Sequence, residues 1–169
     1  ENRSFDHMLG HLSLAGLNNK VDGLTSPLNQ VTYANPWQGD SFAPFAARTD
    51  RWLRSDLPHE FDAVARQLSE STTGSFRMNG FLEAYVDYVR GKGDPTFDPG
   101  LAPDPMMYFT QRLVPVTSFL AQQFCVCDRW FSPIPTSTQP NRTIAFSGST
   151  PIHDTKTRLI EGVGDMVFD

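Results

Sequence analysis

No apolar run in the 169 residues approaches the ~20 that a helix needs to cross a bilayer. Basic residues are also short. Fourteen Lys and Arg stand against nineteen Asp and Glu, a net charge of −5 that no basic cluster interrupts. A nucleic-acid binder must neutralise a row of phosphates, so that class is disfavoured. Small phosphate esters are not excluded, because they respond to local rather than net charge. Cysteine is nearly absent: Cys125 and Cys127 are too few for a disulfide framework, and no further ligand cluster points to structural zinc. Gly162-Val163-Gly164 has too few glycines, wrongly placed, for a nucleotide-cradling loop. What is present, 39% hydrophobic and 20% charged residues, is the composition of one globular domain with a core.

The most informative stretch is Pro135-Thr136-Ser137-Thr138-Gln139-Pro140-Asn141-Arg142-Thr143-Ile144-Ala145-Phe146-Ser147-Gly148. Before it, Phe124-Cys125-Val126-Cys127-Asp128-Arg129-Trp130-Phe131 is apolar and aromatic, which predicts a buried strand. Both cysteines would face one side of that strand as small buried hydrophobes. Ser132, Pro133 and Pro135 end the strand, since proline supplies no ladder donor. Pro140 suits the first turn of a following helix, where a missing N–H costs nothing. The expected unit is strand, polar loop and helix, with a hydroxyl at the helix N-terminus. The N–H groups and dipole there favour an anion, and a hydroxyl among them suits attack on phosphorus. Taken alone, the same residues also describe an ordinary N-cap.

The chain opens on Glu1-Asn2-Arg3-Ser4-Phe5-Asp6-His7, where Ser4 or Asn2 can cap a short helix bearing Phe5, Met8, Leu9 and Leu12. His7 and His11 would share a face of that helix. A metal pair is possible there, but a structural or solvated role is preferred. Residues 13–57 are rich in turn formers and predict a loop-rich excursion with one or two short strands near Val31–Tyr33. Trp37, Phe42, Phe45 and Trp52 are expected to pack that excursion down. Asp56 and Pro58 predict the start of a helix with Phe61, Val64, Ala65 and Leu68 on its apolar face and His59 in its first turn. Residues 78–89 predict the best helix of this half, carried by Phe81, Leu82, Tyr85, Val86 and Val89. Helices are also expected at 106–110 and 115–124, a strand at 157–160 and a helix from about Val163. Both ends of the chain read as cut.

Two of these strings resemble one family. T-x-P-N-R followed by S-G, here Thr138-Gln139-Pro140-Asn141-Arg142 and Ser147-Gly148, resembles the nucleophile segment of the phosphoesterases that include bacterial phospholipases C and acid phosphatases. Glu1-Asn2-Arg3-Ser4-Phe5-Asp6-His7 resembles the opening of the same family, which belongs to the alkaline-phosphatase-like superfamily. Asp56 and His59 followed by Gln67 and Met78-Asn79-Gly80-Phe81 resemble its next segment, and Cys127-Asp128-Arg129-Trp130-Phe131 a later one. The resemblance implies an α/β fold of alkaline-phosphatase type, a mostly parallel sheet flanked by helices. It implies that 1–169 is the N-terminal portion of a single catalytic domain, incomplete because the C-terminal part is absent.

The implied chemistry is metal-dependent hydrolysis of phosphate esters through a covalent phosphothreonine. Thr138 would be the nucleophile, with Ser137 the fallback after a one-residue slip. His59 would bind the phosphoryl group or protonate the leaving oxygen, and Asn141 and Arg142 would bind phosphate. Glu1, Asn2 and Thr138 would hold a divalent metal ion, since a carboxylate and an amide oxygen are hard ligands suited to such a cation. The remaining metal ligands would lie beyond Asp169, leaving the fragment inactive alone. The expected partner is a small-molecule or phospholipid phosphoester, with no nucleic acid and no transmembrane segment, in a secreted or periplasmic setting. The alternatives are another hydrolase of the superfamily such as a sulfatase, and a non-catalytic binding module.

Overall fold

The computed structural model describes residues 3–18, 20–49, 56–93, 100 and 102–153. Glu1, Asn2 and Trp52 lie outside the described residues, as do the strand expected at 157–160 and the helix expected from Val163.

The first helical pattern forms, but as two pieces. α1 (Phe5–Leu9) is capped by Ser4, whose Oγ accepts from the His7 N–H, and α2 (His11–Leu14) follows after Gly10. Gly10 sits at a close approach: a Cβ there would lie 2.6 Å from the Asp6 carbonyl oxygen and 2.9 Å from Leu24 Cγ. The neighbouring turn therefore packs directly on this backbone, and Leu12 and Leu24 seal the junction with almost no exposure.

In the excursion, Val31–Tyr33 is a 3-10 turn rather than a strand. Strands come just after it, as an antiparallel hairpin of β1 (Asn35–Trp37) and β2 (Asp40–Phe42). Gln38 and Gly39 both have positive φ, 52° and 87°, which is the two-residue turn that matches strand twist. β3 (Phe45–Ala46) then pairs in parallel with β4 (Met107–Tyr108). A helix was expected at 106–110. A 3-10 turn at Asp104–Met106 occupies its start, and pairing with β3 draws the next two residues into a strand. Trp37 and Phe42 are half-buried, whereas Phe45 is 40% exposed and does not pack the excursion down.

α3 (Phe61–Leu68) starts later than Asp56 and Pro58 imply, and it buries no residue. Phe61 is 50% exposed, so the expected apolar face of Phe61, Val64, Ala65 and Leu68 is not a core face. α3 meets α4 (Phe81–Gly91) instead through backbone at the start of α4 and through Arg66, whose guanidinium pairs with Asp87 at 2.6 Å. The Gly80 N–H donates to the Gln67 carbonyl at 3.2 Å, and any Cβ at 80 would collide with the Arg66 carbonyl. α4 is the centre of the core: Leu82, Tyr85, Val86 and Val89 are buried, as the spacing predicts, Ala84 is buried with them, and Phe81 is only half-buried.

α5 (Pro115–Gln123) and α6 (Thr138–Ser147) complete the helices among the described residues. Between them the expected strand at 124–131 is absent. Its residues form no ladder, Cys125 and Cys127 are exposed rather than buried, and Phe124, Trp130 and Phe131 are 69%, 83% and 76% exposed. A strand needs a neighbour for its N–H and C=O groups. Among the described residues this segment has none, and side chains tether it instead. Asp128 Oδ2 accepts from the Asp22 N–H at 2.7 Å, and Arg129 pairs with the Asp22 carboxylate at 3.2 Å.

Asn35, read in sequence only as a turn former, joins the hairpin to α4. It is 3% exposed, its Oδ1 accepts from the Phe81 N–H at 2.9 Å, and its Nδ2 donates to the Met78 carbonyl at 3.3 Å. That bond caps α4 from a distant residue, where Gly80 has no side chain to do so. Asn35→Ala removes a buried amide and both of its part-buried hydrogen bonds and is expected to destabilise the protein by about 1–3 kcal/mol. Urea unfolding measures this, and a change below about 0.5 kcal/mol would contradict the assignment.

Candidate active site

The polar loop 132–137 leads into α6 with its hydroxyls in order. Ser137 occupies the N-cap position without a side-chain cap bond and is 3% exposed, while Thr138 opens the helix and is only half-buried. A nucleophile must be reached by substrate, so the burial difference favours Thr138 over Ser137. Pro140 is fully buried in the first turn and seats the helix start.

Asn141 holds the loop. Its Nδ2 donates to the Thr136 and Ser137 carbonyls, both at 2.9 Å, and its Oδ1 accepts from the Ile134 N–H at 3.3 Å. Both amide hydrogens are thus spent on backbone. In this conformation Asn141 shapes the loop and offers no donor to a phosphate, unlike the role expected of it.

Thr138, Ser137, Asn141 and Arg142 line one side of a cavity of about 950 Å³. His59 lines it from the segment before α3, and Arg3 and Ser4 from the start of α1. The sequence-predicted residues among those described, Thr138, His59, Asn141 and Arg142, are therefore brought to one space from segments about eighty residues apart. Glu1 and Asn2 lie outside the described residues, but their chain neighbours Arg3 and Ser4 line this cavity. Among the described residues no group of three His, Cys, Asp or Glu side chains forms a metal site. The hydroxyl of Thr138, with a carboxylate and an amide oxygen, would make a hard donor set of the kind a divalent cation takes beside phosphate.

His59 is fixed by backbone. Its Nδ1–H donates to the Leu57 carbonyl at 2.6 Å, the Asp56 carboxylate stands 3.8 Å from the same nitrogen, and Gln67 Nε2 ties the Pro58 carbonyl at 2.6 Å. With Nδ1 occupied, Nε2 is the nitrogen left to exchange a proton.

The rest of the lining mixes polar residues, Asp6, His7, Asn35 and Gln67 among them, with a larger apolar and aromatic part. Tyr33, Met78, Phe81, Tyr108, Trp130 and Phe131 contribute to it, with Trp130 and Phe131 strongly exposed. Sequence reasoning missed this wall because Trp130 and Phe131 lie in the apolar run taken for a strand. It also gave no role to Arg3, although Arg3 sits inside the opening string.

A model of the phosphoesterase family matches residues 1–164. The chain belongs to the phosphoesterase family. It is 35% identical over 153 residues to non-specific phospholipase C1 of Arabidopsis thaliana, a match covering 89% of this chain and 26% of that protein. To non-specific phospholipase C3 of the same plant it is 33% identical over 171 residues, covering 96% of this chain and 31% of that one. A bacterial relative, the non-hemolytic phospholipase C of Burkholderia pseudomallei, is 28% identical over 153 residues, covering 88% of this chain and 19% of that protein. This phosphoesterase chain thus spans less than a third of the length of these curated relatives. No helix among its described residues is long and apolar enough to cross a membrane.

Three titratable groups beside the site are shifted. The Asp6 carboxyl is raised, first by desolvation and then by the negative charge of Asp22. His7 is lowered, chiefly by burial and then by the Arg3 charge, against the opposing pull of the Met107 carbonyl. His11, whose Nε2 lies 2.9 Å from Ser118 Oγ, is lowered by burial, opposed by the Met8 and Phe109 carbonyls. Among the described residues neither histidine belongs to a group of metal-ligating side chains: the His7 ring nitrogens face the Met107 carbonyl and Arg3, and His11 Nε2 faces Ser118. Their sign is definite. Below about 6.5 the unfolded chain binds protons at these positions that the folded chain resists, so stability falls with pH until the lowered folded values are passed. Asp6 works in the opposite sense at more acid pH. The expected outcome is a Tm that drops between pH 7.5 and 5.5, with a shallower drop in His11→Asn. A Tm that stays flat or rises over that range would contradict it.

Proposed function

We propose that this chain carries the nucleophile half of a phosphoric ester hydrolase of phospholipase C type. The observation that carries the reading is the meeting of Thr138, His59, Arg3 and Arg142 around one cavity. In this scheme Thr138 gives up its hydroxyl proton to water, Oγ1 attacks phosphorus in line, and the P–O bond to the alcohol breaks. His59 gives a proton to the departing oxygen. The result is a phosphothreonine, still esterified to the head group when the substrate is a diester; water then attacks phosphorus, releases the phosphate or phosphomonoester and returns the threonine hydroxyl. The N–H groups of the first turn of α6 and the two guanidiniums stabilise the charge on the non-bridging oxygens. Asn141 serves by holding the loop at the helix start.

A divalent cation belongs to this proposal, held by Glu1, Asn2 and Thr138 with further ligands. When bound it would lower the pKa of the threonine hydroxyl. An alkaline-phosphatase-like sheet flanked by helices for the whole domain, and a secreted or periplasmic setting, are proposals of the same standing. Among phosphoesters, the aromatic wall favours one with a bulky apolar alcohol over a small phosphomonoester. A cavity of about 950 Å³ is at the upper end of ordinary ligand sites and is large for phosphate alone.

The test uses the full-length protein with p-nitrophenyl phosphate, its choline ester and a long-chain phosphatidylcholine. Thr138→Ala should lower kcat by about 10³-fold or more on every substrate the protein hydrolyses, while Thr138→Ser retains part of it. Activity should vanish with a chelator and return with added divalent metal. Retained turnover in Thr138→Ala would remove the nucleophile, and indifference to chelation would remove the metal.

The aromatic wall is tested separately. Removing 40–60 Å² of apolar contact weakens binding by roughly tenfold. Trp130→Ala is therefore expected to raise KM about 5- to 10-fold for the long-chain lipid while leaving p-nitrophenyl phosphate within about twofold. An equal effect on both substrates would show that Trp130 does not touch the alcohol.

A further inference from the structure

His7 is 8% exposed, and burying a polar ring is costly unless its nitrogens find partners, as both do here. Its Nδ1 lies 2.8 Å from the Met107 carbonyl oxygen, an acceptor with no hydrogen to give, so Nδ1 carries the proton. Nε2 of the neutral ring is then an acceptor, and it faces Arg3 Nη1 at 3.4 Å. The ring cannot swing away. Phe109 packs against it at 4.4 Å between centroids and 65° between planes. The backbone is fixed as well, with the His7 N–H on Ser4 Oγ at 3.1 Å and the His7 carbonyl accepting from the Phe109 N–H at 2.7 Å. This rigid ring braces a long, flexible side chain that lines the same cavity as the start of α6.

We propose that Arg3 is a phosphate-binding residue of the cavity and that His7 is its positioning residue, holding the guanidinium in place through Nε2. The assignment rests on reading the cavity as a phosphoester site. Arginine binds phosphate through a planar fork whose orientation matters, so fixing one nitrogen of the fork before the ligand arrives reduces what binding must order. Arg142 brings a second guanidinium to the same cavity from α6, and two forks match the several acceptor oxygens of a phosphoryl group.

The experiment is calorimetric titration of the full-length protein with inorganic phosphate, which needs no turnover. Arg3→Ala is expected to weaken binding about tenfold or more, the scale of a charge-assisted hydrogen bond. His7→Phe keeps the ring shape without the acceptor and should weaken it about 3- to 10-fold, whereas His7→Gln, with an amide oxygen near the Nε2 position, should stay within about twofold. On the Arg3→Ala background, His7→Phe should add nothing, because the residue it positions is gone. Equal losses from His7→Phe with and without Arg3, an unaffected Arg3→Ala, or no phosphate binding by the wild type would each overturn the proposal. Nitrogen-15 NMR of the wild type reads the His7 tautomer without any variant. A proton on Nδ1 is expected, and a proton on Nε2 of the neutral ring would overturn the assignment. A protein that shows this binding pattern yet hydrolyses no phosphoester keeps Arg3 and His7 and loses the reaction. One that hydrolyses esters with phosphate affinity indifferent to Arg3 keeps the reaction and loses this assignment.

Discussion

Three hydrogen bonds from one amide side chain determine where the candidate nucleophile stands. Asn141 holds the Thr136 and Ser137 carbonyls and the Ile134 N–H at once, so the loop can enter α6 in only one way. That entry turns Ser137 inward and leaves Thr138 half-exposed at the cavity. Pro140, buried one residue earlier, prevents the helix from unwinding to another start. A slip of one residue would exchange the two hydroxyls, and with them the reactive position.

The start of α1 reaches the cavity by different means. α1 is only five residues long and could not hold itself in water. It is anchored by β4 and its neighbour Phe109, through the His7 ring on the Met107 carbonyl and the Phe109 N–H on the His7 carbonyl. Those long-range bonds bring the opening of the chain to the cavity that α6 faces. The third contributor, His59, is set by short-range bonds to Leu57 and by the reach of Gln67 to Pro58. The site thus combines one locally fixed histidine with two helix starts that tertiary contacts position.

What was legible in the sequence follows from how local each signal is. α4 was plain because its apolar residues repeat at helical spacing and all but Phe81 of those expected are buried. The start of α6 was plain because a run of hydroxyls followed by Pro140 is a local signal of a helix N-terminus. The run at 124–131 was misread because apolar composition says that a strand is permitted, whereas a ladder partner decides whether it forms. The β3–β4 pair shows the converse: Met107 and Tyr108 became a strand because Phe45 and Ala46 lay alongside. Asn35 and Asn141 were legible only as turn formers and phosphate donors, since their bonds run to backbone that sequence does not place. The resemblance of the two strings to phosphoesterases led to the family that the matched residues bear out. The aromatic wall and Arg3 carried no string of their own to be recognised by.

The central claim is chemical: the Thr138 hydroxyl bonds to phosphorus during turnover. Acid quenching of the full-length protein during hydrolysis, followed by peptide mass spectrometry, tests this most directly. The account predicts a phosphoryl group on Thr138 and none on Ser137. Phosphate on Ser137 or on His59, or turnover with no phosphorylated residue in the 135–148 peptide, would contradict it.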